Sequence, residues 1–448
     1  MRYYSKWDAV AFLSKKRASK ARRRRVVLYR RAVSRERAAA FEAAKRLNFG
    51  PRSTILTLLA EGGQSPALAM PQTSLHIAAP NNFSLQTNPE GVIQFIGSLA
   101  QTLLTRQVSD INLDLSSVVE QDLGAHALLD KLVDEVMTDC KIRGARIAWK
   151  GSFPKDAHQR RFVCAMGVVD QLGIAARYLS AAEKSKIRQF TRRCRHYIRA
   201  IRPDQKDAKT IAAERFAMYV NRCLSAEGKT LTPTARHLLC SYVGEVIENA
   251  EVHAGMVDWS MHGYLDMSMS QPNCEIVVFN FGKSIAETLE ELPEGSYTKA
   301  QIAEFLDAHT GGGLFTRAWR RKDLLTLVAL QSTVSCKNSS IDTTRGNGTA
   351  DLIEFFQGMH DERASIMGQP TRMFIISGDT RILFDGTYRI EKNSEGTRLI
   401  AFNRTNDLKL PPDPSYVLPL KKARLPGTMI GVQFPIQPRS LQETGGAA

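Results

Sequence analysis

The chain has 448 residues, 43% of them hydrophobic, with 61 Lys and Arg against 45 Asp and Glu, a net charge of +16. That length allows about three domains of about 150 residues each, with the apolar content of an ordinary globular protein. No apolar run approaches the roughly 20 residues of a membrane helix, and the basic amino terminus is not followed by the apolar core of a secretory signal. Seven cysteines without a C-x-x-C pair argue against a zinc site or a disulfide framework. The expectation is a protein of the reducing cytoplasm.

The charge is concentrated at the start. Residues 1–50 hold 16 Lys and Arg against 3 Asp and Glu, peaking at Arg22–Arg25 and continuing through Arg30, Arg31, Arg35 and Arg37. Alanines and apolar residues between Trp7 and Leu47 predict a basic helical arm over residues 1–60. Such density suits phosphate backbones, where each neutralised phosphate releases counterions. A solvated tail, or attachment to acidic protein or lipid, accounts for the same charges, and no base-reading motif accompanies them.

From Gly62 to Asn88 the chain is rich in Pro, Gln, Ser and Asn and reads as linker or irregular edge. An α/β alternation follows, over a domain of residues 75–180. It predicts a helix over Pro89–Thr105, a strand over Asp110–Leu115 and a helix over Ala125–Met137. A strand over Ala145–Lys150 and a helix over Gln159–Leu172 complete it. The strand Ile111–Leu115, a short loop with Asp122 and Gly124, and a long amphipathic helix resemble the STAS fold of anti-sigma-factor antagonists. Regulated members carry a phosphorylatable hydroxyl where the loop enters the helix. Here that stretch reads Gln121-Asp-Leu-Gly-Ala-His126, so the resemblance implies a docking or regulatory module without that switch. Residues 181–210 are basic again, from Lys184 to Arg202, and predict a helical connector extending over residues 181–230. His196 lacks the flanking pattern of a histidine-kinase phosphoacceptor.

The most informative stretch is Glu245-Val-Ile-Glu-Asn249-Ala-Glu-Val-His253, within a run from Arg236 to Ala254 whose apolar period predicts a helix. Glu245, Asn249 and His253 are spaced four apart and share one face. A carboxylate one turn before a carboxamide suits metal-assisted phosphate chemistry. The amide oxygen can hold a hard cation such as Mg²⁺, and the carboxylate can take a proton from water or a hydroxyl. Any exposed helix can carry Glu and Asn four apart. Three further features follow in order: a strand from Cys274 into Asn280-Phe-Gly282-Lys-Ser284; Arg345-Gly346-Asn-Gly348-Thr349 opening a helix that reads to Gly358; and Pro426-Gly427-Thr428 leading into a strand over Met429–Phe434.

Together these features resemble the four boxes of the Bergerat-fold ATPases, the GHKL superfamily. It holds gyrase, the heat-shock clamp chaperones, sensor histidine kinases and anti-sigma serine kinases. The resemblance covers residues 231–440 and implies an α+β sandwich of the Bergerat type, with ATP and Mg²⁺ as cofactors. It implies that Asn249 coordinates the metal, that Glu245 acts as catalytic base, and that His253 assists on the same face. Asn280 and Gly282 would meet the base, Gly346 and Gly348 would wrap the phosphates as a lid, and Lys337 and Arg345 would neutralise phosphate charge. Thr428 would complete the nucleotide site. Two positions depart from the pattern, with Asn280 where the family uses Asp and Ser284 where glycine is usual. An amide oxygen can also accept a hydrogen bond from the adenine amino group. Strand signals at Arg372–Ser377, Arg381–Phe384, Tyr388–Glu391 and Thr397–Phe402 predict hairpins that extend the antiparallel sheet.

The expected protein is therefore an α/β regulator in three parts: basic arm, STAS-like domain and Bergerat-type domain. The expected activity is Mg²⁺-dependent ATP hydrolysis, or phosphotransfer to a partner protein. The alternatives are a nucleotide sensor without turnover and a nucleic-acid-associated clamp that forms a homodimer.

Overall fold

The computed structural model describes residues 53–63, 74–105, 108–172, 189–194, 208–253, 259–267, 271–294, 296–310, 319–332, 348–363, 371–392 and 397–443. The expected arm over residues 1–60 lies almost wholly outside them. The chain divides into two compact units, residues 1–54 with 137–146, and residues 55–136 with 147–448. In the first unit the described part is a helix end, where Arg143 pairs with Asp139 and the Ala145 N–H returns to the Cys140 carbonyl.

The second unit begins with α1 (Thr54–Gly62), β1 (Ser74–Ala78), β2 (Asn82–Phe83), α2 (Pro89–Thr105), β3 (Asp110–Asp114) and β4 (Glu120–Gln121). Then come α3 (Leu123–Arg143, whose last turns belong to the first unit), β5 (Ala148–Ser152), α4 (Ala157–Ala165) and α5 (Gly167–Gln171). Strands β1, β3 and β5 form a parallel sheet in that order. In β1 the buried Leu75 and Ile77 alternate with exposed neighbours, the period of a half-buried strand. This strand lies inside the stretch read as linker. Two core side chains are too weak a signal against flanking Pro, Gln and Ser. The single helix expected over residues 159–172 is two helices, broken at Met166, whose backbone is extended. The break turns the Gly167 and Val168 N–H groups onto the buried Asp130 carboxylate at 3.1 and 2.6 Å, which caps α5.

The chain continues with β6 (Phe190–Cys194), α6 (Ala208–Leu224), β7 (Lys229–Leu231), α7 (Pro233–His253), β8 (Trp259–Asp266) and β9 (Asn273–Phe281). It goes on through α8 (Ile285–Glu290), α9 (Tyr297–Thr310), α10 (Arg321–Val328), α11 (Gly348–Arg363), β10 (Arg372–Gly378) and β11 (Thr380–Phe384). Last come β12 (Glu391–Lys392), β13 (Arg398–Leu399), β14 (Val417–Pro419), β15 (Leu425–Pro435) and β16 (Leu441–Glu443). Seven of these strands form one antiparallel sheet in the order β14-β11-β10-β15-β9-β8-β6.

Strand β6 falls within the stretch expected to be a helical connector. Its Phe190 stacks edge-on against Phe216 of α6 at 5.3 Å, which anchors the strand at the sheet edge. Strands β10 and β11 extend the sheet as expected, but residues 388–391 and 397–402 do not. There the Ile390 and Ile400 N–H groups donate to the side chains of Gln357 and Gln331, at 2.8 and 2.9 Å, in place of a strand neighbour. Only the two-residue ribbon β12–β13 remains.

One face of the large sheet carries the main core. Cys274, Ile276 and Val278 of β9 pack there with Ile430, Val432 and Phe434 of β15, beneath α6, α7 and α11. The other face meets α3 and α4. The Leu123 N–H donates to Glu275 of β9 at 3.1 Å, and the Phe162 ring sits edge-on to Tyr264 at 5.0 Å. The protein is thus mixed α/β, with one parallel and one antiparallel sheet of three or more strands among the described residues. Among the described residues no helix is long and apolar enough to cross a membrane.

Candidate functional site

Helix α7 starts at Thr232, whose hydroxyl accepts the Ala235 N–H at 3.2 Å, with Pro233 at the first helical position. Leu239, Tyr242, Val243, Val246 and Ile247 are buried in the core, at the three- and four-residue spacing of one apolar stripe. Glu245 is left half-buried beside that stripe. Burial pushes its carboxyl above the usual range, and the neighbouring charges of Glu248 and Asp351 push it further, partly offset by Lys209. Lys209, at the start of α6, is ion-paired with Glu248.

Asp351 belongs to the first turn of α11, and the pairing of the two helices can be followed residue by residue. The Tyr242 ring lies 4.5 Å from that of Phe355, and Glu245, three residues on, senses Asp351, four residues back. The two helices therefore run antiparallel, and the amino-terminal end of α11 at Gly348 lies toward the last turns of α7. The α7 backbone remains helical through Asn249 and His253. Lys337, Arg345 and Gly346 lie outside the described residues.

The end of the sheet supplies the remaining predicted residues. Asn280 pairs with Trp259 on one side and Thr428 on the other, and Thr428 pairs in turn with Ser377. Asn280 follows Ile276 and Val278 at the strand period of two, so its side chain belongs to the face covered by α7. The Asn280 amide oxygen accepts the Thr428 N–H at 3.0 Å. The hydroxyls of Thr428 and Ser377 are bonded at 2.7 Å, and Ser377 accepts the Ile285 N–H at 2.8 Å. Asn280 is 1% exposed and Thr428 2%. They form a buried polar ladder across three strands. Gly427 is needed for this approach. Its φ is 137°, and a Cβ there would stand 2.2 Å from the Asn280 carbonyl oxygen.

Gly282 also has a positive φ, 133°, and its N–H donates to the Pro426 carbonyl at 3.2 Å, locking the β9 turn onto β15. Ser284, the departure from the glycine pattern, caps α8. It forms a capping box with Glu287, which is ion-paired to Arg424 at 2.5 Å.

Asn280, Gly282 and Thr428 therefore stand together at one end of the sheet, while Glu245 lies on α7 near Lys209 of α6 and Asp351 of α11. The oxygen-bearing side chains suit a hard divalent cation. Of the carboxylates near Glu245, Glu248 is paired with Lys209 and Asp351 with Arg398 at 2.5 Å. Among the described residues there is no group of three or more His, Cys, Asp or Glu placed to hold a metal alone. Mg²⁺ is usually held by only one or two carboxylates together with substrate phosphates and water, so a nucleotide-borne ion needs no such group. Ser377 and Asp351 were not identified from the sequence. Both enter through tertiary pairing, strand to strand and helix to helix. A scan against protein-family models, a search of curated proteins and a search of solved structures each found no match.

Proposed function

We propose that the chain from about residue 231 binds ATP with Mg²⁺ at this end of the antiparallel sheet, as a Bergerat-type domain. The STAS-like layer on the opposite face would serve as a regulatory or docking module of a cytoplasmic protein. The observation that supports the reading is the meeting of Asn280 and Gly282 with the Pro426–Thr428 turn at one end of the sheet, together with the pairing of α7 with the start of α11 through Glu245 and Asp351. The bound nucleotide would supply the phosphoryl group and its metal. Asn249 would hold the ion through its amide oxygen, and backbone N–H groups at the start of α11 would face the phosphates. Glu245 would accept the proton of an attacking water or of a partner protein's hydroxyl. Its raised proton affinity makes it a better base near neutral pH than an ordinary carboxylate.

A second reading has its own support. The polar groups of Asn280 and Thr428 already bond one another and are buried, which fits a nucleotide sensor without turnover. Glu245→Gln separates the two. It keeps size and hydrogen bonding, so ATP binding is expected to persist while phosphate release in single-turnover assays falls by about 10²-fold or more. Equal release by wild type and variant, with and without candidate partner proteins, would assign Glu245 a structural role.

A further inference from the structure

The loop from Leu420 to Arg424 enters β15 just ahead of the Pro426–Thr428 turn that meets Asn280, and α1 and α2 hold it from outside the large sheet. The Glu90 carboxylate, in the first turn of α2, accepts the backbone N–H groups of Lys421 and Lys422, the second at 2.9 Å. One turn on, the Gln94 side-chain amide donates to the Lys422 carbonyl at 3.0 Å. The Arg424 N–H donates to the carbonyl of Gly62, the last residue of α1, at 2.8 Å. A Cβ at Gly62 would stand 2.2 Å from the Arg424 carbonyl oxygen, so α1 meets the loop backbone to backbone. The start of the loop is held from within the sheet, where Asp379 accepts the Leu420 N–H and Arg320 donates to the Leu420 carbonyl.

Two bonded routes lead from this loop to the end of the sheet. Along the backbone, Arg424 is followed by the turn whose Gly427 lies against Asn280 and whose Thr428 N–H donates to the Asn280 amide oxygen. Through side chains, the Arg424 guanidinium pairs with Glu287, which accepts the Ser284 N–H and hydroxyl at the start of α8. The next N–H, of Ile285, reaches Ser377, which is bonded to Thr428. Contiguity alone transmits nothing, because a ligand shifts a distant contact only where it binds one of two arrangements better. Here the two arrangements are the loop tied to Glu90 and the loop released, and release loosens the turn on which the Asn280 contact depends. Bonds to a carboxylate are stronger than neutral ones, so Glu90 contributes most of the tie between α2 and the loop.

We propose that α2, through Glu90 and this loop, sets the nucleotide affinity of the site at Asn280, so that a movement of α2 regulates it. The inference rests on the nucleotide reading above, and Glu90 is a positioning residue that acts through the loop. ATP with Mg²⁺ is titrated into the full chain by calorimetry. Glu90→Ala is expected to weaken binding by about fivefold or more, the lower end of coupling between sites. Glu90→Gln keeps an acceptor for the two N–H groups and is expected to stay within about twofold of the wild type. Coupling is reciprocal, so in ¹⁵N-lysine-labelled wild type ATP should slow hydrogen exchange of the Lys421 and Lys422 amides by about the same factor. The exchange measurement needs no variant and decides even where Glu90→Ala is unstable. ATP binding with equal affinity in a folded Glu90→Ala variant, or with unchanged exchange at both lysines, would overturn the inference and leave the nucleotide reading standing. No binding by the wild type would overturn both.

Discussion

Glu275 gives the sharpest test of how the two layers of the large unit are joined. It lies on β9 between Cys274 and Ile276, partly buried, with one oxygen on the Leu123 N–H at the start of α3. Burial raises its carboxyl from 4.5 to about 8, and the nearby Asp122 and Asp266 add to the rise. In the unfolded chain Glu275 loses its proton near pH 4.5, whereas in the fold it keeps it until about pH 8. The native state therefore binds more protons across that window, and its stability falls as pH rises through it, becoming level above about 8. At 1.36 kcal/mol per pKa unit, the loss is on the order of 3–5 kcal/mol. Glu275→Gln retains an acceptor for the Leu123 N–H and removes the titration. The two proteins should be about equally stable at pH 5, with the variant gaining progressively up to pH 8.5. Urea midpoints at several pH values, with unchanged slopes, measure the difference directly. A difference that does not vary with pH, or a variant less stable at pH 8.5, would refute the argument.

Other predictions follow from local geometry. Ser284→Ala removes the cap of α8 and is expected to cost about 0.5–2 kcal/mol, whereas Ser284→Gly costs only a few tenths, both read from thermal unfolding. If the basic arm binds nucleic acid through phosphates, deleting residues 1–50 lowers affinity for arbitrary duplexes and flattens the dependence of binding on salt. An unchanged salt slope after the deletion would assign the charge to another role.

The sequence was most legible where a long apolar period met clear end signals. Helix α2 is read to the residue and α7 to within three residues at its start, because Val92, Ile96 and Leu99, or Leu239, Val243 and Val246, keep one face buried over several turns. Strands of five residues were harder. In β1 the pattern is short and its flanks resemble linker, and in β6 the basic residues suggest a solvated helix. Its strand form depends on pairing with β8, more than 60 residues later. The site divides in the same way. The spacing of Glu245, Asn249 and His253 is local and was visible. The contact of Asn280 with Thr428 spans 148 residues, and nothing in the spacing announces it. Ser284 was a missed local signal. Ser284-x-x-Glu287 is a capping-box pattern, so the residue can be explained by the start of a helix as well as by the loss of a glycine.

The central claim is tested most directly by calorimetric titration of the full chain with ATP and Mg²⁺, wild type against Asn249→Ala. Near-UV circular dichroism shows whether the variant keeps its tertiary packing. Asn249 is the residue assigned to the metal, so the account predicts saturable binding by the wild type that requires Mg²⁺ and weakens at least about tenfold in the folded variant, the scale of one lost ligand interaction. No binding by the wild type, or equal affinity of the two proteins, would contradict it.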